Sequence, residues 1–260
     1  MTFQKETEKF ADSSILEGMT SISALINSTT DNDREIQRVL IDEAKRKSKY
    51  KEIGFLTAKS HELGFVIEFV DAAKIDALTV GSTHGGIVAL CTDRTLPVLS
   101  ADSIKPDGFY VYLEGVEDPY NFGYTLRSLY AAGVDGVVLP PRNWMTAAGV
   151  VARASAGASE QMPIYTAEPE TLVSTFKSAG YTVLCAGIRD SVSVFDENFR
   201  YPVLLVIGGE KRGISRALLD AADHIVRIDY GREFRGSLSA ASAATVMAFE
   251  IFRKNKNKNK

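Results

Sequence analysis

The spacing of apolar residues divides the chain into two stretches of different rhythm. From about residue 108 onward, short apolar runs alternate with amphipathic segments. Strands are predicted at Phe109–Leu113, Val137–Leu139, Met162–Tyr165, Thr182–Ala186, Val203–Ile207 and His224–Ile228. Helices are predicted at Phe122–Ala132, Ala147–Ala154, Glu170–Ala179, Ser215–Ala222 and Leu238–Arg253. Strands that alternate with helices imply an α/β fold: a mostly parallel sheet with helices on both faces. Such sheets take ligands at the carboxyl ends of their strands.

The first hundred residues read as a smaller α/β unit. Asp31-Asn-Asp-Arg-Glu-Ile supplies capping residues, and Ile36, Val39, Leu40 and Ala44 follow at helical spacing. A strand is expected at Ile53–Thr57, a helix at Ala58–Leu63, a strand at Phe65–Val70 and a short helix at Asp71–Leu78. The turn Ser82-Thr-His-Gly-Gly then feeds the apolar run that ends at Cys91. The division expected is 1–100 for this unit, 101–107 for a linker carrying Pro, Asp, Ser and Lys, 108–253 for the larger domain and 254–260 for a basic, disordered tail.

Length and composition agree with two ordinary domains. The chain has 260 residues, 45% apolar and 24% charged, enough to bury full cores. No run approaches the ~20 apolar residues of a membrane helix, and Met1–Lys9 is too polar for a signal peptide. Cys91 and Cys185 sit in apolar runs without metal-ligand spacing, which points to reduced core thiols, no metal and a cytoplasmic location. The net charge of −3 gives no general attraction to nucleic acid, but phosphate responds to local patches. Lys45, Arg46, Lys47, Lys49 and Lys51 form one such patch, expected at a helix end, and the Lys/Asn tail forms another. The first four are the candidate RNA contacts.

Three segments carry candidate chemistry. Asp118-Pro-Tyr-Asn-Phe-Gly-Tyr-Thr-Leu-Arg127 places an amide, Asn121, six residues before a guanidinium, Arg127, where a strand-end loop turns into helix. A helix beginning near Phe122 would set Arg127 beside its N-terminus, where free N–H groups and a planar donor fork suit a phosphate. Gly208-Gly-Glu-Lys-Arg-Gly213 follows an apolar strand and can bring backbone close to a flat ligand, with Glu210 at its tip. It comes after a late strand and lacks Gly-x-Gly-x-x-Gly, which disfavours a nucleotide-dependent oxidoreductase. Ser237-Leu-Ser-Ala-Ala-Ser242 opens the last predicted helix.

In order and content these segments resemble the SpoU (TrmH-type) branch of the SPOUT RNA methyltransferases. The early segment with His84-Gly-Gly-Ile-Val-Ala89 resembles the ribosomal-protein-like substrate-binding domain that precedes it, and Arg153-Ala-Ser-Ala-Gly-Ala158 matches a further family stretch. The resemblance implies a C-terminal trefoil knot, a homodimer formed through that region, and S-adenosyl-L-methionine as cofactor. It implies methyl transfer to a ribose 2′-hydroxyl of structured RNA, with ribosomal RNA slightly favoured over transfer RNA. By the same resemblance Arg127, Asn121, Glu210, Ser237 and Ser239 are the catalytic set, and Gly208, Ile228 and Leu238 line the cofactor pocket. A guanidinium with a pKa above ~12 is a poor proton acceptor, so Arg127 is read as holding phosphate and developing alkoxide. The chain departs from the family at its third motif. Ile228-Asp-Tyr230 stands for the usual Ile-Pro-Met, and Ser239 for the usual asparagine. The alternative is therefore a non-catalytic RNA-binding protein that keeps the fold.

Overall fold

The computed structural model describes residues 14–79, 83–141 and 147–256. Ser82 of the His84 turn and residues 257–260 of the tail lie outside the described residues. The chain forms two compact units. One comprises residues up to Thr95 together with the segment that ends at Gln161, and the other comprises the rest.

The first unit holds β1 (Ile15–Glu17), α1 (Gly18–Ile26), β2 (Ile36–Asp42), α2 (Tyr50–Leu63), β3 (Val66–Val70), α3 (Ala72–Asp76), β4 (Ile87–Cys91), α5 (Ala148–Ala154) and α6 (Ala158–Gln161). Its four strands run in the order β1-β4-β2-β3. β4 is antiparallel to both neighbours, and β2 and β3 are parallel. The helix expected after Asp31 is instead strand β2. Val39, Leu40 and Ile41 are all buried, as a strand between two others and covered on both faces requires. The apparent helical spacing was a subset of that continuous run. The strand expected at Ile53–Thr57 belongs to α2, one fourteen-residue helix that buries Leu56 and ends on Gly64 in the left-handed conformation. The basic residues Lys45–Lys49 therefore precede a helix rather than end one. They begin at the end of a 3-10 turn, Glu43–Lys45, whose Ala44 N–H donates to the Asp42 carboxylate at 2.9 Å.

The segment carrying α5 and α6, read from sequence as part of the larger domain, packs with the first unit. Ala152 is fully buried with Leu16 and Ile22. Arg153 Nη1 lies 2.6 Å from Glu17 Oε2, and the buried pair Arg34–Glu160 is 3.4 Å apart. Asn32 Nδ2 also donates to Glu160 at 3.0 Å, so this carboxylate is both paired and hydrogen-bonded, as burial of charge demands.

The second unit contains β5 (Phe109–Glu114), α4 (Pro119–Ala131), β6 (Gly136–Leu139), β7 (Ile164–Thr166), α7 (Pro169–Ser178), β8 (Thr182–Ala186), β9 (Val192–Ser193), β10 (Val203–Gly208), α8 (Arg216–Ala221), β11 (His224–Arg227) and α9 (Ala240–Asn255). The strand order is β7-β6-β5-β10-β8-β11-β9, and every pairing is parallel. One face is filled by Tyr110, Tyr112, Phe176 and Tyr181. The Phe176 ring stands 5.3 Å from Tyr110 and 5.0 Å from Tyr181. Tyr181 gives its hydroxyl proton to Lys105 O and accepts from Gly108 N–H, which satisfies the polar end of a buried ring. α9 packs on α4 and β10. Cys91 lies in β4 and Cys185 in β8, both buried, and burial pushes the Cys185 thiol up to about 12.

The tail begins later than the sequence suggests. α9 runs to Asn255, whose side chain donates to Phe199 O at 3.0 Å and accepts from Tyr201 N–H at 3.1 Å. Lys254 Nζ donates to Val194 O and Phe195 O. These two residues close the helix against the sheet.

Phe176 supplies the strictest test of this core. Phe176→Ala should cost about 3–5 kcal/mol of unfolding free energy, because it removes a fully buried ring from between two others. Denaturant unfolding of the variant checks this, and a loss below 1 kcal/mol would mean that the aromatic cluster is loosely packed.

Candidate functional site

β5 and β10 are neighbours in parallel register, with Glu114 opposite Gly208. The loops leaving both strands therefore start side by side at the carboxyl end of the sheet. Gly209 N–H donates to Glu114 O at 2.5 Å, and a Cβ on Gly209 would stand 2.0 Å from Gly115 O. At Gly208 a Cβ would stand 2.4 Å from the carbonyl carbon of Gly213. Glycine is required at both positions because backbone lies against backbone. The Glu114 carboxylate accepts from Ser215 N–H at 2.8 Å and so anchors the far end of the same loop ahead of α8.

α4 starts with Asp118 as its cap and Pro119 as its first residue. The Asp118 carboxylate accepts from Asn121 N–H at 2.8 Å. Helix thus begins three residues earlier than the sequence reading placed it, and the Asp-Pro pair was the signal. The consequence for Arg127 is a correction. It lies eight residues past Pro119, more than two turns along α4, so it is not beside the helix N-terminus. The cap carboxylate already accepts from a first-turn N–H, which takes up a donor a phosphate would need there. Arg127 is exposed and makes no hydrogen bond or ion pair with any described residue.

Two predicted site residues meet directly. Asn121 Nδ2 donates to Glu210 Oε1 at 3.3 Å, joining the first motif to the second. Lys211 reaches back to Glu117 at 3.1 Å on the exposed side of the same junction.

The third motif is held by its own contacts. Tyr230 OH accepts from Leu238 N–H at 3.2 Å and so closes the segment from Ile228 to Leu238 into a loop. Ile228 is half-buried, while Tyr230, Phe234 and Leu238 are exposed. Asp229, at the position of the altered motif, has its carboxyl held below the usual range by a hydrogen bond from Ser193 and by one from Arg227 Nε, 2.8 Å away. That carboxylate fastens the end of β11 to β9. Ser239 caps α9: its Oγ accepts from Ser242 N–H at 3.2 Å and donates to Ser242 Oγ at 3.0 Å. Serine and asparagine cap helices about equally well, so the exchange at this position leaves the helix start intact. Ser237 is exposed, and no described contact joins it to Asn121 or Glu210. Gly115, which touches Gly209, and Tyr230, which closes the third-motif loop on itself, are absent from the sequence-based set.

Exposed Tyr230, Phe234 and Leu238 lie along the third-motif loop, while the glycine loop presents Glu210 and Lys211 from closely packed backbone. The model of the SpoU rRNA Methylase family matches residues 108–249, and that of RNA 2′-O ribose methyltransferase substrate binding matches residues 15–97. The chain belongs to the SpoU rRNA methylase family.

A relative in Staphylococcus saprophyticus, named "Putative TrmH family tRNA/rRNA methyltransferase", is 31% identical over 225 residues, 84% of this chain and 88% of that protein. A Staphylococcus aureus protein of the same name is 31% identical over 229 residues, 84% of this chain and 89% of its own. Among solved structures, the S-adenosylmethionine-bound rRNA methyltransferase of Sinorhizobium meliloti superposes with a TM-score of 0.78 at 23% identity, covering 96% of this chain and 94% of that one. The likeness establishes the SPOUT fold. The SpoU family uses S-adenosylmethionine. Among the described residues no helix is long and apolar enough to cross a membrane, and no cluster of His, Cys, Asp or Glu is arranged to hold a metal.

The glycine geometry yields a ranked expectation. Gly213 has φ +66 but open space around its Cβ position, so Gly213→Ala should cost on the order of 1–2 kcal/mol of backbone strain. Gly209→Ala must push two backbones apart and should lower the thermal midpoint more. Melting curves of the two variants decide the order, and a reversed ranking would show that the β5–β10 junction is not the tight point.

Proposed function

We propose that this SpoU-family protein is an S-adenosylmethionine-dependent RNA methyltransferase acting on a ribose 2′-hydroxyl. The carrying observation is the Asn121–Glu210 hydrogen bond, which unites two family motifs at the ends of adjacent strands. Gly208, Ile228 and Leu238 line the cofactor pocket in this reading. Bound there, the cofactor supplies a methyl group on a sulfonium, ready for a single displacement by oxygen.

The chain's own groups position the nucleophile. Arg127, exposed and uncommitted, grips an RNA phosphate with its donor fork and stabilises negative charge developing on the 2′-oxygen. Asn121 and Glu210 orient the ribose, with Glu210 fixed in turn by the Asn121 amide. Ser237 offers a hydroxyl, whereas Ser239 serves chiefly to start α9. Lys45, Arg46, Lys47 and Lys49 form an RNA-binding strip on the first unit, where Arg46 also stacks over Phe69 with its guanidinium 4.4 Å from the ring centroid. The substrate-binding match of that unit supports an RNA substrate, and ribosomal RNA in preference to transfer RNA belongs to the same proposal. A homodimer through the second unit is supported by exposed Tyr120, Tyr124 and Phe249 on the mutually packed α4 and α9. The C-terminal knot of the family belongs to the same proposal.

Transfer of tritium from labelled cofactor into total RNA tests the roles. Arg127→Ala should lose on the order of 10²-fold in rate, as for removal of a charge-stabilising donor, with cofactor affinity unchanged. Asn121→Ala should lose about tenfold, the worth of one aligned hydrogen bond. Ser239→Asn should keep or raise the rate. Wild-type rate in Arg127→Ala would overturn the mechanism, and no transfer by the wild type to any RNA would favour a binding protein without turnover.

A further inference from the structure

A cleft of about 310 Å³ opens within the first unit, and none of its walls belongs to the three motifs. It is formed by the first turn of α1, the turn before β4, Lys49 and Arg153. That volume lies at the lower end of the range small ligands occupy.

The walls offer an anion hydrogen-bond donors rather than net positive charge. Glu17, at the cap position of α1, makes no side-chain cap, and its carboxylate turns instead to Arg153 at 2.6 Å. The first-turn N–H groups of a nine-residue helix thus meet no side-chain acceptor from the cap. Lys49 and Arg153 line the cleft, Lys49 paired with Glu52 at 2.9 Å and Arg153 with Glu17 at 2.6 Å. Ser21 supplies an independent sign. It is 1% exposed and lines the cleft, yet its hydroxyl makes no hydrogen bond to any described residue. The hydroxyl therefore meets the cleft rather than the closed core, where a ligand oxygen can accept from it. Ala156 on the same wall holds φ at 51°, a strained conformation for a residue with a Cβ and one that gathers at binding sites. His84 is wall rather than ligand: Nδ1 accepts from Gly86 N–H at 3.1 Å and Nε2 faces Asp76 at 3.2 Å.

We propose that this cleft receives one unpaired nucleotide of the RNA substrate. Its phosphate sits on the first-turn N–H groups of α1 and the Ser21 hydroxyl, with Lys49 and Arg153 to either side. The remaining space, bounded by Met19 and the His84 turn, takes the base. The inference rests on the RNA reading above and deepens it, since unpaired nucleotides are what protein pockets read in folded RNA.

The full chain can be titrated with the four nucleoside 5′-monophosphates and with inorganic phosphate, followed by amide NMR. At least one monophosphate should shift the Gly18–Ser21 amides and bind several-fold tighter than phosphate. Ser21→Ala and Lys49→Gln should each weaken monophosphate and RNA binding about three- to tenfold, as one lost polar contact does, with cofactor affinity and thermal midpoint unchanged. Ser21→Ala only shortens a side chain, so folding is retained. Monophosphates binding no tighter than phosphate, shifts confined to other amides, or variants that bind RNA like the wild type while methyl transfer proceeds would each overturn the cleft assignment. Intact monophosphate binding in a protein that methylates no RNA would uphold the cleft and defeat the methyltransferase reading instead.

Discussion

The backbone contact between the ends of β5 and β10 organises everything chemical in the second unit. Parallel pairing sets Glu114 opposite Gly208, Gly115 turns the chain at φ +83, and the absence of a side chain at Gly209 lets the two exits touch. Glu114 then serves twice: its carbonyl receives Gly209 N–H, and its carboxylate holds Ser215 N–H at the loop's other end. A loop pinned at both ends presents Glu210 in a fixed place, and Asn121 meets it from α4. Because adjacent parallel strands expose their carboxyl ends on one side, the site follows from the topology, and glycine makes it close enough to function.

The departures from the family pattern become physically intelligible in that frame. Ser239 replaces an amide with a hydroxyl but still caps α9, the helix that packs on α4 and β10. Asp229 and Tyr230 stand where the family has Pro-Met. Asp229 bonds to Arg227 and Ser193, and Tyr230 holds Leu238 through its hydroxyl. Polar ties thus shape this loop in place of a rigid proline.

Much of the second unit was legible because its strands are short, apolar and separated by amphipathic helices, so period and length agree. Val203–Ile207 and Thr182–Ala186 are of this kind. The first unit misled where period and context disagree. Ile36, Val39 and Leu40 sit at helical spacing, yet pairing with β4, and for Val39 and Leu40 with β3 as well, makes them strand. At Ile53–Thr57 the local β-propensity yields to one long helix. For the site, the glycines and Asn121 could be read as a pattern, but the contact of Gly115 with Gly209 could not, since 94 residues of chain separate them. The start of α4 was readable from Asp118-Pro119, and reading it would have moved Arg127 off the helix N-terminus.

The position of the transferred methyl group tests the account most directly. RNA labelled by the wild-type protein with tritiated S-adenosylmethionine can be hydrolysed in alkali, which needs a free 2′-hydroxyl at each cleaved linkage. Transfer to ribose leaves the label in alkali-resistant dinucleotides, which is the result this account requires. Label recovered in mononucleotides would place the methyl on a base and contradict it.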